Sequence, residues 1–179
     1  YKILISSSAV TQTIAYKLTI EKNQCSPKPN NLGATNINTT GAKLIWANTG
    51  NYSSWQVAIQ SEGSTIPTGD GETTTTPFFN KTGLVADTSY QYWVRAECSP
   101  GSDIFSQWAG PYVFHTTLCE NVNKCTYSFI LSDAGNDGWN GATMEVRQNG
   151  NLMTTVGAYY TSNISGNVIS VQLCKNVPF

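Results

Sequence analysis

The residues best suited to chemistry cluster in one stretch, Asp133-Ala134-Gly135-Asn136-Asp137-Gly138-Trp139-Asn140-Gly141. Calcium takes several oxygen ligands from a tightly turning backbone. Asp133, Asn136, Asp137 and Asn140 offer side-chain oxygens, and Gly135, Gly138 and Gly141 offer the turns. The spacing is not the Asp-x-Asp-x-Asp-Gly of a helix–loop–helix calcium site, and no glutamate closes it. The same residues suit an Asx-type turn that bonds to itself, with Trp139 tucked onto a core. Of the two readings the turn is preferred. Calcium is the one cofactor for which the sequence offers a ligand set.

Outside that stretch the candidates are dispersed. Trp93 points outward by strand parity, and Trp108, Tyr159 and Tyr160 fall in loops. With Trp139 they offer flat ring faces on which a ligand such as a sugar could stack. Single surface aromatics are common, however, and Trp93 has a cationic neighbour in Arg95. His115 is the only histidine and no C-x-x-C pair exists, so a zinc site lacks its ligand set. The sequence holds no Gly-x-Ser-x-Gly elbow, no phosphate-cradling loop with lysine and no close carboxylate pair in apolar surroundings. No catalytic residue is assigned, and the chain reads as a non-enzyme. Sequons at Asn38, Asn51, Asn80 and Asn163 carry little weight in a chain so rich in Asn, Ser and Thr. Five cysteines suit an oxidising compartment, and an odd count suits a piece whose missing partner lies beyond its ends.

The elements that must position these residues are strands. Thr, Ser, Asn and Gly supply 71 of the 179 residues. Thr, Val and the aromatics suit pleated strands, and Gly, Asn and Ser suit the turns between them. The Ala, Leu, Glu and Lys positions of a helical domain are missing. The fold class expected is all-β, a tandem of β-sandwich modules without significant helix. A net charge of −1 with 12% charged residues, and no basic patch, exclude nucleic acid as a partner. No run approaches the roughly 20 apolar residues of a membrane-spanning helix. The chain starts at Tyr1 inside an alternating run and stops where another strand should begin, so it reads as an internal piece of a longer protein.

Three segments are expected. Residues 1–24 hold two strand-like runs, Tyr1–Ser6 and Thr13–Glu21, that complete a preceding sheet; the pattern resembles the last hairpin of a pre-peptidase C-terminal β-sandwich. In residues 25–119, Ala42, Leu44 and Trp46 share one face of a strand, as do Trp55, Val57 and Ile59. Tyr90, Tyr92, Val94 and Ala96 share another, with Gln91, Trp93, Arg95 and Glu97 opposite. Pro29-x-x-Leu32, Ala42-x-Leu44-x-Trp46, Thr82-Gly83-Leu84-x-x-x-Thr88-x-Tyr90 and Gly110-Pro111-x-x-Phe114-x-Thr116 make this segment resemble a fibronectin type III domain, with Leu84 to Tyr90 spaced like its tyrosine corner. Lys81 departs from that pattern, falling where an apolar residue is usual; either it snorkels past Phe79 or the register is one residue off. Cys25, Val94-Arg95-Ala96-Glu97-Cys98 and Trp108 are similar to the fibronectin-like repeats of large Bacteroidota proteins exported by the type IX system. Strand parity brings Cys25 and Cys98 to one pole, where a disulfide is expected.

Residues 120–179 read as a partial β-sandwich module: Cys125–Ser132, the loop at 133–141, a hairpin turning at Asn149-Gly150, and Asn167–Cys174. It resembles the Asp-Gly-Trp-Asn-Gly modules that accompany such repeats. Four strands return Cys174 to the pole of Cys125, so Cys125–Cys174 is the second disulfide expected; Cys119 then awaits a partner beyond Phe179 or bonds Cys125. The resemblance implies an extracellular or cell-surface location and work in adhesion, spacing or surface-fibre assembly. Neighbouring modules, surface polysaccharide, other proteins or copies of itself are the partners it implies. The rival reading is an accessory, substrate- or carbohydrate-binding region of a secreted protease or glycosidase.

Overall fold

The computed structural model describes residues 24–135, 137–157 and 167–179. The strand-like runs expected within residues 1–24 lie outside the described residues, as do Asn136, Tyr159, Tyr160 and Asn163.

Alternation at period two builds the first unit. In β2 (Ala42–Ala47), residues Ala42, Leu44 and Trp46 are buried while their neighbours are half-exposed. β2 lies between β1 (Asn30–Thr35) and β5 (Phe78–Lys81) in a three-stranded sheet. The facing sheet runs β4 (Glu72–Thr74), β3 (Trp55–Ser61), β6 (Ser89–Ala96) and β7 (Ala109–His115), every pair antiparallel. Between the sheets Leu44, Trp46, Trp55, Val57, Leu84, Tyr92, Val94 and Phe114 form one apolar core. Tyr92 crosses that core. Its hydroxyl accepts from Gly33 N–H at 3.0 Å and directs its proton at Ile45 O (2.7 Å) or Gly33 O (2.9 Å). The tyrosine corner is formed by Tyr90, whose hydroxyl oxygen accepts from Val85 N–H at 3.0 Å. Lys81 stands opposite Ala42, on the face of Phe79, so the register is not shifted. It snorkels to the sheet edge and pairs with Glu72 at 2.7 Å.

A single 3-10 turn at Asn121–Asn123 leads into the second unit. There β8 (Lys124–Leu131) pairs with β11 (Asn167–Cys174), and β9 (Met144–Gln148) with β10 (Asn151–Val156). Asn149 and Gly150 take φ of 48° and 81°, the left-handed pair that a two-residue hairpin of this kind requires. Leu131, Val146, Val156 and Leu173 are buried between the ribbons, flanked by Tyr127, Phe129, Trp139, Ile169 and Val171. Gln148 is fully buried among them. Its amide accepts from Cys174 N–H (2.8 Å) and donates to Cys174 O (3.0 Å) and Val177 O (2.8 Å), tying the hairpin to the end of β11. Among the described residues no helix is long and apolar enough to cross a membrane.

Cys25 is bonded to Cys98, closing a separation of 73 residues. The second bond joins Cys119 to Cys174, and Cys125 is free. This corrects the expected Cys125–Cys174 pairing and the local Cys119–Cys125 alternative. Cys125 and Cys174 do lie at one pole, but Cys125 is opposite Leu173 while Cys174 is opposite Lys124. Successive strand residues face opposite ways, so a one-residue offset puts the two sulfurs on opposite faces of the ribbon. In the chain-entropy picture each closed loop is worth about 4 kcal/mol.

Candidate functional site

The most elaborate cluster of polar side chains lies where the two units meet. The turn after Leu84 ends at Asp87, whose φ is 51°, a conformation Asp adopts more readily than most residues. Only 9% of its side chain is exposed. Its carboxylate accepts from His115 Nε2 (3.0 Å) within the first unit, and from Asn149 Nδ2 (2.6 Å) and Asn151 Nδ2 (2.7 Å) of the second. The His115 bond is the chief cause holding the Asp87 carboxyl below its ordinary value, against the opposing effect of burial. A second tie fastens the connector to the first unit: Glu120 accepts from the hydroxyl and the backbone N–H of Thr39, which lowers its carboxyl too. Lys175 N–H donates to Asn123 O, fastening β11 to the connector.

Ser89 Oγ lies 2.9 Å from His115 Nδ1, so Ser89, His115 and Asp87 form a hydroxyl–imidazole–carboxylate chain. A serine-hydrolase triad presents Nε2 to the hydroxyl and Nδ1 to the carboxylate. Here the ring nitrogens are reversed, and the carboxylate is loaded with amides from the second unit. The arrangement ties the first unit to the second. Beside it opens a cleft of about 380 Å³, lined by His115, Leu118, Lys124, Met153 and the Cys119–Cys174 bridge.

The described residues of the loop at 133–141 bond to one another. Asp133 Oδ1 accepts from Gly135 N–H (3.1 Å), and Oδ2 accepts from the N–H groups of Asp137 and Gly138 (2.9 Å each). These backbone donors, Gly135 first, lower the Asp133 carboxyl. Asn140 Nδ2 donates to Asp137 Oδ2 at 3.3 Å. Trp139 lies against the second core with its indole N–H directed to Ser132 O. A Cβ at Gly157 would stand 2.4 Å from that ring, so only glycine fits beneath it. Among the described residues no three acidic, histidine or cysteine side chains are grouped to hold a metal.

The aromatics singled out from the sequence divide. Trp93 does lie on the outward face of β6, yet it is only 2% exposed and has no ring face to offer. On that side β7 comes close at Gly110, where a Cβ would meet Trp93 Cδ1 at 2.9 Å. Trp108 is half-buried and stacks with Arg95, whose guanidinium also covers Phe105 (4.5 and 4.2 Å to the ring centres). Arg95 is fixed further by Gln56 and Asp70. Trp93, Trp108 and Trp139 sit in three separate settings and form no common platform. The sequence did not disclose Asp87, Asn149 and Asn151 as a group. Asn149 was legible only as a turn residue, and nothing local links it to a carboxylate 62 positions away.

Residues 27–110 match the family described as Fibronectin type III domain. Among solved structures, the fibronectin type III domain of human contactin 1 aligns at 14% identity and a TM-score of 0.45, over 64% of this chain and 97% of that one. The domain from human fibronectin type III domain containing protein 3 aligns at 18% identity and a TM-score of 0.44, over 54% and 93%. That of the human collagen alpha-1(XX) chain aligns at 16% and 0.41, over 51% and 85%. No curated protein matches the chain.

Proposed function

We propose, from the match of residues 27–110 to the fibronectin type III domain family, that the chain is a non-catalytic spacer within a large secreted or cell-surface bacterial protein, serving adhesion or surface-fibre assembly. Such domains are generally non-catalytic modules of multidomain proteins, and two disulfides suit an extracellular setting. The finer assignment is to a Bacteroidota protein exported by the type IX system. In it a preceding sandwich ends within residues 1–24, the fibronectin module spans 25–119, and an Asp-Gly-Trp-Asn-Gly module follows from 120. The observation that carries the reading is the joint. A spacer transmits position only if consecutive modules keep a fixed angle, and Asp87 binds across the boundary between the units while Glu120 ties the connector to the first.

The accessory-region reading draws less support among the described residues, because Trp93 is buried, Trp108 is stacked on Arg95 and Trp139 lies against the second core. Within the proposed role, neighbouring modules are the primary partners, and polysaccharide or a second copy would engage surfaces other than these rings. Residual dipolar couplings measured on the full chain test the spacer. One alignment tensor shared by both units is expected; two independent tensors would overturn it.

A further inference from the structure

Cys119 is the last residue of the first unit's tail, and Cys174 ends the last strand of the second. Their bond therefore encloses the whole second unit within a separation of 55 residues. That unit has a small core among the described residues, four clustered apolar side chains between two-stranded ribbons, and two-stranded ribbons are marginal alone. The first unit has a much larger core and its own bridge. The Cys119–Cys174 bond also lines the junction cleft, with Lys124 of the same wall directly opposite Cys174 in the β8–β11 register. A cation beside a cysteine stabilises its thiolate, which eases departure of that sulfur in exchange.

We propose that Cys119–Cys174 is a redox latch: a dithiol reductant reaching the cleft opens it, and the second unit lets go of the first while the fibronectin domain stays folded. One thiolate of the dithiol attacks Cys119 Sγ, and the electron pair of the broken bond leaves on Cys174 as a thiolate beside Lys124. The second thiol then resolves the mixed disulfide, freeing Cys119 and closing the oxidised dithiol. One protein disulfide becomes two thiols, and one dithiol becomes a disulfide. Cys125 is kept out of this exchange by the register that points it to the face opposite Cys174.

This inference rests on the joint described above but is read separately from it. The test is stepwise reduction of the full chain with dithiothreitol, with alkylation to map free thiols and hydrogen exchange to follow each unit. Cys119 and Cys174 should become alkylated before Cys25 and Cys98. Protection in 124–131 and 167–174 should then be lost while β2, β3 and β6 keep theirs. Lys124→Gln should slow opening of this bond about threefold, as expected when the cation opposite the leaving thiolate is removed, and leave Cys25–Cys98 unaffected. The double variant C119S/C174S should show the same selective loss without reductant. Retained protection after both cysteines are alkylated overturns the proposal, as does earlier opening of Cys25–Cys98 or simultaneous loss of both units. Failure of the spacer would instead appear in the oxidised chain, as two alignment tensors.

Discussion

Replacing Asp87 with alanine removes the acceptor for both amides that cross the joint, Asn149 and Asn151. A hydrogen bond to a charged acceptor is worth roughly 1.5–3 kcal/mol, and an amide returned to water recovers part of that. Two such bonds therefore leave a net loss of about 2 kcal/mol. That shifts the ratio of docked to undocked units about thirtyfold. The bond from His115 lies within the first unit and does not enter the sum. The assay is 15N relaxation on the full chain. Wild type should tumble with one correlation time, and D87A should give two, the smaller unit moving faster. D87N should fall between them, since its amide keeps one acceptor oxygen but turns a second donor toward Asn149 or Asn151. The pH dependence has a definite sign. Because the Asp87 carboxyl is held below its ordinary value of 3.8, chiefly by His115, its contribution is complete above that value. It is lost only as pH falls through the lowered one. A D87A chain with one correlation time and an unchanged melting profile would refute the assignment of the joint to this carboxylate.

The remaining predictions concern what holds the units themselves. Tyr92→Phe strands Gly33 N–H and Ile45 O and should cost about 2 kcal/mol in denaturant unfolding of the first unit. Burial raises the Tyr92 hydroxyl above its ordinary 10.0, so wild type should lose stability as pH climbs past that value, and Y92F should lose less. Trp46 carries a buried indole N–H without a partner among the described residues. Trp46→Phe should accordingly change stability by no more than about 1 kcal/mol, whereas Trp46→Ala should cost roughly 3–5. Gly110 has φ of 125° and Tyr92 O would stand 2.7 Å from its Cβ, so Gly110→Ala should lower the melting temperature by more than either conservative change. In calcium titration the melting temperature should stay constant between chelator and millimolar calcium, because Asp133 already accepts three backbone N–H groups; a saturable rise would restore the ion-site reading.

How much of this was legible in the sequence depended on whether the deciding interaction was local. Alternation at Ala42, Leu44 and Trp46, the left-handed demand at Asn149-Gly150 and the Leu84 to Tyr90 spacing are each written within a few residues, and each produced the element it describes. The self-bonded Asp133 loop is local in the same way. Trp93 shows the first limit. Parity fixes which face a strand residue occupies but not whether that face is covered, and Trp93 is 2% exposed with β7 close by at Gly110. The cysteines show the second. Counting strands places Cys125 and Cys174 at one pole correctly, yet bonding depends on face as well as pole, and one residue of register decides the face.

The joint shows a third limit, and its chemistry follows from the same composition that marked the chain as all-β. With 12% charged residues there are few ion pairs to build a boundary from. The boundary instead sets one carboxylate against neutral amides, and another against a threonine, so that each contact is charge to dipole. Salt screens two opposed surface charges over about 8 Å at physiological ionic strength, but it acts far less on a nearly buried carboxylate in contact with its donors. Asp87, at 9% exposure, is such a group. Contacts made this way are weakened little by salt, and the Asp87 contacts last down to mildly acidic pH because its carboxyl is held below its ordinary value. The abundance of asparagine, legible at first only as a supply of turns, thus also furnishes the donors that fix one module to the next.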